Sequence, residues 1–324
     1  MPSISRGYPA GVRALLVVNP RATTTTAAGR DVLTHALASE LELEVLVTRY
    51  RGHAAEATAT AVQDGVQLVI AHGGDGTVNE VVNGVMVGCG GPEVAADPDC
   101  GPAIAIVPGG SANVFARALG IPRDPVEATG GILAALAERR VRTVGLGRAD
   151  ERWFTFNAGM GWDADVVADV ERARAEGQEA TPARYVITAA RQYFRQRRHP
   201  KSMTVQVPGA DPVTDVRLVF VCNTSIWTYL GPRAIRTNPT ADFSLGLGLF
   251  ALRHLGLTTL LPVLVEVLRS DGDPRGRHVV RNDAVTKVRV TSPEPVALQV
   301  DGDYLGTRRE VDFLSVPKAL RVVV

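Results

Sequence analysis

The decisive stretch is Leu68-Val69-Ile70-Ala71-His72-Gly73-Gly74-Asp75-Gly76-Thr77-Val78-Asn79-Glu80, which continues as VVNGV through Val85. The apolar run before His72 reads as a buried strand, and Val78–Val85 reads as a helix. Gly73, Gly74 and Gly76 let the backbone between them approach a ligand closely or adopt positive φ. Thr77 and Glu80 have the T-x-x-E spacing of a capping box, which predicts that the helix starts there. Unpaired N–H groups at a helix start favour phosphate. Asp75 would repel a bare phosphate, so the turn predicts a nucleotide carrying Mg²⁺. A ligand-free strand–helix turn is the competing reading, but it needs one or two glycines rather than three and an acid.

Working outward, the same arrangement recurs. Ala103–Val107 reads as a strand and runs into Pro108-Gly109-Gly110-Ser111-Ala112-Asn113, then a helix over Val114–Leu119. Ser111 is a good N-cap residue. The turn misses the nucleophile elbow G-x-S-x-G because Asn113 replaces its last glycine. Near the start, Ala14–Val18 reads as a strand ending at Asn19-Pro20-Arg21-Ala22-Thr23 in a Thr-rich loop. Helices are expected over Arg30–Leu41 and Ala54–Gln63, with a strand at Leu43–Thr48 and a surface loop over Gly88–Gly101. Strands alternating with helices predict a parallel sheet, and three such turns would converge at its carboxyl edge, where α/β folds bind ligands.

Beyond about residue 141 the pattern changes to short β-rich runs: Trp153–Asn157, Met203–Val207, Val216–Cys222, Leu247–Leu252, Val285–Val290 and Ala297–Val300. They predict an antiparallel sheet or sandwich, interrupted by helical patterns around 163–198 and 257–268. The closing Leu320–Val324 could pair with either half. Arg184–Arg198 reads as an amphipathic helix, with Tyr185, Val186, Ala189, Ala190, Tyr193 and Phe194 opposite an arginine face. Packing on the sandwich is favoured for it over contact with anionic lipid. Trp162, Trp227 and Tyr229 suit either a lipid groove or core.

Composition excludes several classes. The 324 residues carry 35 basic and 34 acidic side chains, so no global basic field points to nucleic acid. The lysines are Lys201, Lys287 and Lys318, and no Gly-Lys-Ser/Thr occurs, so no Walker-type P-loop is present. Cys89, Cys100 and Cys222 are odd in number and far apart, which suits reduced buried thiols in a cytosolic protein rather than a disulfide or zinc site. MPSISRGYPAG lacks an apolar segment, so no secretory signal is expected. Leu255–Leu268 is broken by Pro262 and Glu266 and is shorter than the roughly 20 residues a bilayer requires. Any membrane contact is therefore expected to be peripheral, on the inner face.

These residues resemble the diacylglycerol kinase catalytic-domain family, which includes bacterial lipid kinases and sphingosine and ceramide kinases. The matching runs are VVNPRAT (17–23), Thr48 with Gly52-His53-Ala54, HGGDGTVNEVVNG (72–84), PGGSANVFARALGIP (108–122), FNAGMGWDADVV (156–167) and LQVDGDYLG (298–306). The resemblance implies a NAD-kinase-like α/β domain (1–140 plus 312–324) and an antiparallel β-sandwich for the lipid (141–311), with ATP in the cleft between them. It implies nucleotide contacts from Asn19, Pro20, Arg21, Ala22, Thr23, Thr48, Gly73, Gly74, Asp75, Gly76, Thr77, Val78, Asn79, Glu80, Gly110, Ser111 and Asn113. Asp301 would be the general base, with Asp303 beside it, and Asp75 and Asp303 would meet Mg²⁺. The implied activity is ATP-dependent phosphorylation of a lipid hydroxyl at a membrane surface, in phospholipid metabolism; a homodimer is compatible with it.

The bottom-up chemistry agrees, since a hydroxyl attacking phosphorus benefits from a carboxylate that takes its proton. Asp301-Gly302-Asp303 reads locally as a hairpin turn. Departures from the family pattern are Val114 where Asp is common, Asp303 where Glu is usual, and Asp242-Phe243-Ser244-Leu245 where an Asp-Asp-Gly metal motif is expected. A NAD kinase is an alternative, although its N-x-G-x-L-G-F is missing, and a non-catalytic nucleotide-binding regulator is another. His72 abuts the glycine turn, Arg117 lies within reach of phosphate, and Asn157 and Asp163 are candidates for positioning substrate.

Overall fold

Alternating apolar runs and helix-length polar stretches build the first part of the chain. In this computed structural model residues 11–23, 27–91, 97, 99–176, 182–198, 201–269 and 272–324 are described. The N-terminal MPSISRGYPA, the end of the Thr-rich loop, most of the 92–98 segment and His199 lie outside them. Two compact units form, Met1–Val144 with Lys318–Val324, and Gly145–Pro317.

In the first unit β1 (Val12–Val18), α1 (Ala27–Ala38), β2 (Leu41–Val47), α2 (His53–Gln63), β3 (Leu68–Gly73), α3 (Asp75–Gly88), β4 (Ala103–Pro108), α4 (Val114–Ala118) and α5 (Pro125–Ala137) follow in order. The strands lie β2-β1-β3-β4, all parallel. Parallel neighbours require crossovers, which the helices provide. β3 and β4 are buried at every position, as a sheet covered on both faces demands. Leu16, Leu37, Ile70, Ala105, Ile132 and Val323 belong to one core. The last residues of the chain resolve the open alternative: Val322 pairs in parallel with Ile104 of β4.

The second unit holds most of β5 (Val141–Ala149), then β6 (Arg152–Phe154), β7 (Asn157–Gly161), α6 (Trp162–Ala175), α7 (Pro182–Arg198), β8 (Met203–Gln206), β9 (Val213–Val216), β10 (Leu218–Cys222), β11 (Ile226–Leu230), β12 (Arg233–Arg236), β13 (Leu247–Leu252), α8 (Leu257–Leu268), β14 (Val279–Val285), β15 (Lys287–Val300) and most of β16 (Asp303–Val323). Antiparallel pairing joins β14-β13-β10-β7-β15-β16. β15 loses register between Thr291 and Val296, around Pro293 and Pro295; its first half pairs with β8 and its second with β7. β10 separates two cores. Val219 and Val221 face one with Leu249 and Phe313, while Leu218, Phe220 and Cys222 face another with Phe250, Val263 and Val267 of α8.

Several expectations change. The helix expected over Arg30–Leu41 is α1, which ends at Ala38, and Leu41 already opens β2. The single strand expected over Trp153–Asn157 breaks into β6 and β7 because the N–H groups of Thr155 and Phe156 turn to Asp301 instead of a neighbouring strand. On α7, Phe194 is 62% exposed, while Thr188, Gln192, Tyr193 and Gln196 are the buried ones among the described side chains. Gln192 and Gln196 donate to Asp169 and Asp165 of α6, so this helix seats through amide–carboxylate bonds as well as Tyr193. The side chains of Tyr185 and Val186 lie outside the described set.

The cysteine expectation is overturned. Cys89, just after α3, and Cys100, just before β4, form a disulfide with Cα atoms 5.9 Å apart. They stand eleven positions apart in sequence, and the fold sets the end of α3 close to the chain entering β4, which brings the thiols together. Cys222 remains a free, buried thiol. Burial pushes its pKa up to about 12, so it is protonated and inert. In the folded, unreduced protein we expect no cysteine to react with maleimide; denaturation alone should expose Cys222, and denaturation with reduction should expose all three. Mass spectrometry of the adducts reads the count, and labelling of Cys89 in the folded, unreduced protein would refute the bridge.

Candidate functional site

The carboxyl ends of β1, β3 and β4 meet through backbone bonds that continue past the strands. The Asn19 N–H donates to the His72 carbonyl at 3.0 Å, and the Gly109 N–H to the Gly73 carbonyl at 2.8 Å. The Thr48 N–H donates to Val18 at 2.8 Å, which brings in the end of β2. Four strand ends therefore share one edge, as the strand–helix alternation predicts.

At this edge the two glycine turns touch. A Cβ on Gly74 would lie 3.2 Å from the Gly110 Cα, and one on Gly110 would lie 2.7 Å from the Gly74 Cα. Gly110 has no room for a side chain and Gly74 is tight for one, so part of the glycine content serves turn-against-turn packing. Asn113 closes the second turn: its Oδ1 accepts from the Gly110 N–H at 2.9 Å, and its Nδ2 donates to the Gly110 carbonyl at 2.6 Å.

α3 begins at Asp75, with Gly74 as N-cap and no side chain capping it. The capping-box expectation fails. Thr77 lies inside the first turn, where its Oγ1 accepts from Asn19 Nδ2 at 3.0 Å. Glu80 reaches sideways and accepts from the N–H groups of Gly52 at 2.9 Å and Ala54 at 3.2 Å, so it caps α2. The α2 start carries orphan donors that a neighbouring carboxylate satisfies as well as a local one. Ser111 is exposed, and Asn113 takes the N-cap position of α4 with φ +49° and no side-chain cap bond.

The uncapped start of α3 leaves main-chain donors beside Gly74 and Gly76 for an anion, the arrangement that binds phosphate. The Asp75 carboxylate accepts from the Phe115 N–H at 3.4 Å and spans the two turns. Pro20, Arg21 and Thr23 are exposed at the rim, with Asn19 and Ala22 half-buried; Val78 and Asn79 are buried within α3. His72 is 2% exposed, and its burial, aided by the positive Arg30, lowers its pKa and keeps the imidazole neutral. Arg117 donates to the Ala112 carbonyl at 3.5 Å.

A second constellation occupies the other unit. Asp301 and Gly302 form the two-residue turn between β15 and β16, with φ of +48° and +83°. Positive φ at both centres is what a type I′ hairpin turn demands. The Asp301 side chain is 5% exposed. The Thr155 N–H and hydroxyl donate to its Oδ2 at 2.7 and 2.8 Å, and the N–H groups of Phe156 and Asn157 donate to its Oδ1 at 3.0 and 3.1 Å. A carboxylate offers about four acceptor directions, and all four are engaged. Burial raises the Asp301 pKa against these bonds.

Gln299, two residues earlier on the same side of the strand, extends the network. Its Nε2 donates to Asn157 Oδ1 at 3.0 Å and to Asp163 Oδ2 at 3.2 Å, and its Oε1 accepts from the Gly302 N–H at 2.9 Å. Asn223 holds the same corner by donating to the carbonyls of Gly145 and Thr155, both at 2.9 Å. Asp163, in the first turn of α6, is pushed up to about 7 by desolvation, with the Gln299 bond opposing. Sequence reading singled out Asn157, Asp163, Asp301 and Asp303 but missed Thr155, Gln299 and Asn223; the period of two between Gln299 and Asp301 was the available signal. Asp303 is half-buried at the start of β16. Asp242 accepts from the N–H and hydroxyl of Ser244 at 3.0 and 2.6 Å in a local turn. Among the described residues no three His, Cys, Asp or Glu side chains converge as a metal site.

Comparison with known proteins agrees with this architecture. Residues 13–149 match the model of the diacylglycerol kinase catalytic domain, so this part of the chain is similar to that family. A diacylglycerol kinase of Bacillus subtilis (strain 168) is 27% identical over 329 residues, 96% of each chain. A probable lipid kinase YegS-like protein of Stenotrophomonas maltophilia is 33% identical over 165 residues, 49% of each chain. A crystal structure of a putative diacylglycerol kinase from Bacillus anthracis superposes with a TM-score of 0.72 over 98% of both chains at 21% identity, which shows the shared fold.

Two predictions follow from this geometry. Gly110→Ala should lower unfolding free energy by about 1–3 kcal/mol through the forced clash with Gly74, measured by urea denaturation; an unchanged midpoint would show that the turns separate freely. For Asp163, whose pKa is raised to about 7, the folded state keeps a proton that the unfolded chain loses above an ordinary carboxylate pKa. Stability attributable to this group is thus complete below about pH 4 and declines as pH rises towards 7. Asp163→Asn should flatten that decline across a pH series of denaturation curves, and a steeper one would contradict the assignment.

Proposed function

We propose that the chain transfers the γ-phosphoryl group of ATP, held as its Mg²⁺ complex, to the hydroxyl of a diacylglycerol-like lipid. One observation carries the reading: two mutually packed glycine turns flank an uncapped helix start at the carboxyl edge of a parallel sheet. That edge presents main-chain donors to a polyphosphate without a Walker lysine. The similarity of residues 13–149 to the diacylglycerol kinase catalytic domain supports the lipid as acceptor.

The residues present fit the nucleotide and the metal in a particular way. With no cluster of three carboxylates or imidazoles among the described residues, Mg²⁺ would rest on Asp75 or Asp303 with phosphate and water oxygens completing its shell, the usual manner for this ion. Bound Mg-ATP would supply an electrophilic phosphorus with part of its charge neutralised. The Gly74–Thr77 backbone, Asn19 and the Gly110–Asn113 turn orient the triphosphate, Thr48 and the Arg21–Thr23 rim border it, and neutral His72 adds no competing charge. Asp301 accepts the proton of the lipid hydroxyl. With its four acceptor directions filled, it must release a donor first. Three donors are backbone N–H groups held by the chain, so the Thr155 hydroxyl, which rotates about one bond, is the one to yield. Asp303, half-buried two residues on, lies beside this turn and adds negative charge that favours proton capture.

The filled acceptor shell of Asp301 also favours a second reading, nucleotide binding without transfer. A single assay separates them. The purified chain is incubated with radiolabelled ATP and Mg²⁺, with a short-chain diacylglycerol in one tube and NAD in another. Labelled phosphatidic acid is expected in the first alone; label in the NAD product alone would reverse the assignment, and Mg-ATP binding with no transfer would leave the regulatory reading. Asp301→Asn should keep Mg-ATP affinity and reduce turnover by about 100-fold or more. Turnover near the parent value would remove Asp301 from proton transfer.

A further inference from the structure

α8 is apolar on two faces, and among the described residues only one of them is covered. Thr259, Val263 and Val267 are buried, and Leu260 is partly so, against Ile235, Trp227 and Phe250. On the other side Leu257, Leu261, Leu264 and Val265 are 56, 56, 52 and 59% exposed. At 3.6 residues per turn these four fall within an arc of about 100°, centred well away from the buried stripe. Solvent-facing stripes of surface helices are normally polar. Apolar residues exposed singly need no partner, but a contiguous stripe of four does.

The β11–β12 hairpin packs on the same helix through Ile235 and Trp227. Among the described residues it pairs with no other strand, and Leu230 at its Gly231-Pro232 turn is 56% exposed. Arginines outnumber acids in the two segments that form this patch. Thr224–Ala241 contains Arg233 and Arg236 and no acid, and Arg253–Arg269 contains the two terminal arginines, His254 and Glu266. Glu266 lies 3.7 Å from Arg269, which offsets its charge. Arg233, Arg253 and Arg269 are exposed.

We propose that the outer face of α8 and the tip of the β11–β12 hairpin dock on the surface of an anionic lipid bilayer. Leucines and a valine enter the headgroup–acyl boundary while flanking arginines contact lipid phosphates, the division of labour of an interfacial helix. The helix is too short to span, and Pro262, exposed on it, does not hinder lying flat. Choosing a bilayer over a second copy of the chain rests on the arginine frame, which would repel its own copy across a two-fold interface, and on the lipid-kinase reading above. The buried stripe ties α8 to the second unit, so docking needs no unfolding.

The full chain is tested by co-sedimentation with vesicles of phosphatidylcholine alone or mixed with phosphatidylglycerol. Sedimentation with the mixed vesicles, weakened by added salt, is expected. The double variant Leu261→Glu/Leu264→Glu should keep its melting temperature, since both side chains are exposed, and lose mixed-vesicle binding by about tenfold or more. Val126→Glu, at an exposed valine on α5, should bind as the parent does. Indifference of the parent to both vesicles, or equal binding by the double variant, overturns the proposal; so does a parent dimer that the double variant converts to monomer without any vesicle binding. Vesicle binding without lipid phosphorylation would sink the kinase reading and leave the surface standing. Transfer to a short-chain diacylglycerol with no vesicle binding would do the reverse.

Discussion

Gly74 and Gly110 approach each other through their Cα atoms; a methyl group at Gly110 has no room beside Gly74, and one at Gly74 would be tight. This contact sets how closely the ends of β3 and β4 run past the sheet. With it in place, the Gly109–Gly73 backbone bond forms, Asp75 reaches the Phe115 N–H, and Asn19 reaches Thr77. The start of α3 is then held by neighbours rather than by a cap of its own. A helix end left with free donors is normally a cost. Here the surrounding strand ends hold it in place, and an anion is the natural partner for what remains.

The second unit solves a different problem with a carboxylate. Asp301 gathers the N–H groups of three consecutive residues where the chain leaves β6 and enters β7, groups that no strand receives. The I′ turn places that carboxylate inward, and Gln299 ties the turn to Asn157 and Asp163. Two carboxyl groups thus share one hydrogen-bonded network but differ in environment. Asp301 is saturated with donors, whereas Asp163 is desolvated with a single amide donor among the bonds described. Environments of that kind separate acid from base within one site.

α8 shows how a buried stripe and an exposed stripe coexist on one apolar helix. Its inner residues complete the core beneath β10 and β13, as any amphipathic helix would. Its outer leucines add nothing to that core, so folding alone does not account for them. The lipid substrate proposed above would give such a surface a physical use, because the interfacial free energy that repels these leucines from water draws them to a bilayer.

Much was legible in the sequence because it is written in local pattern. The apolar runs at Ala14–Val18, Leu68–Ala71 and Ala103–Val107 mark covered strands, and the glycine turns after two of them mark the binding edge. Asp301-Gly302 announces a hairpin, and the apolar stretch ending at Leu268 coincides with α8. What the tertiary structure decided are interactions whose partners lie far apart in the chain. Glu80 caps α2 rather than its own helix, Ser111 yields its expected capping place to Asn113, and Cys89 meets Cys100 because the end of α3 lies close to the chain entering β4. The split of the Trp153–Asn157 run is decided by a carboxylate some 145 residues downstream. Local sequence determines which backbone groups need partners; proximity in the folded chain determines which side chains answer them.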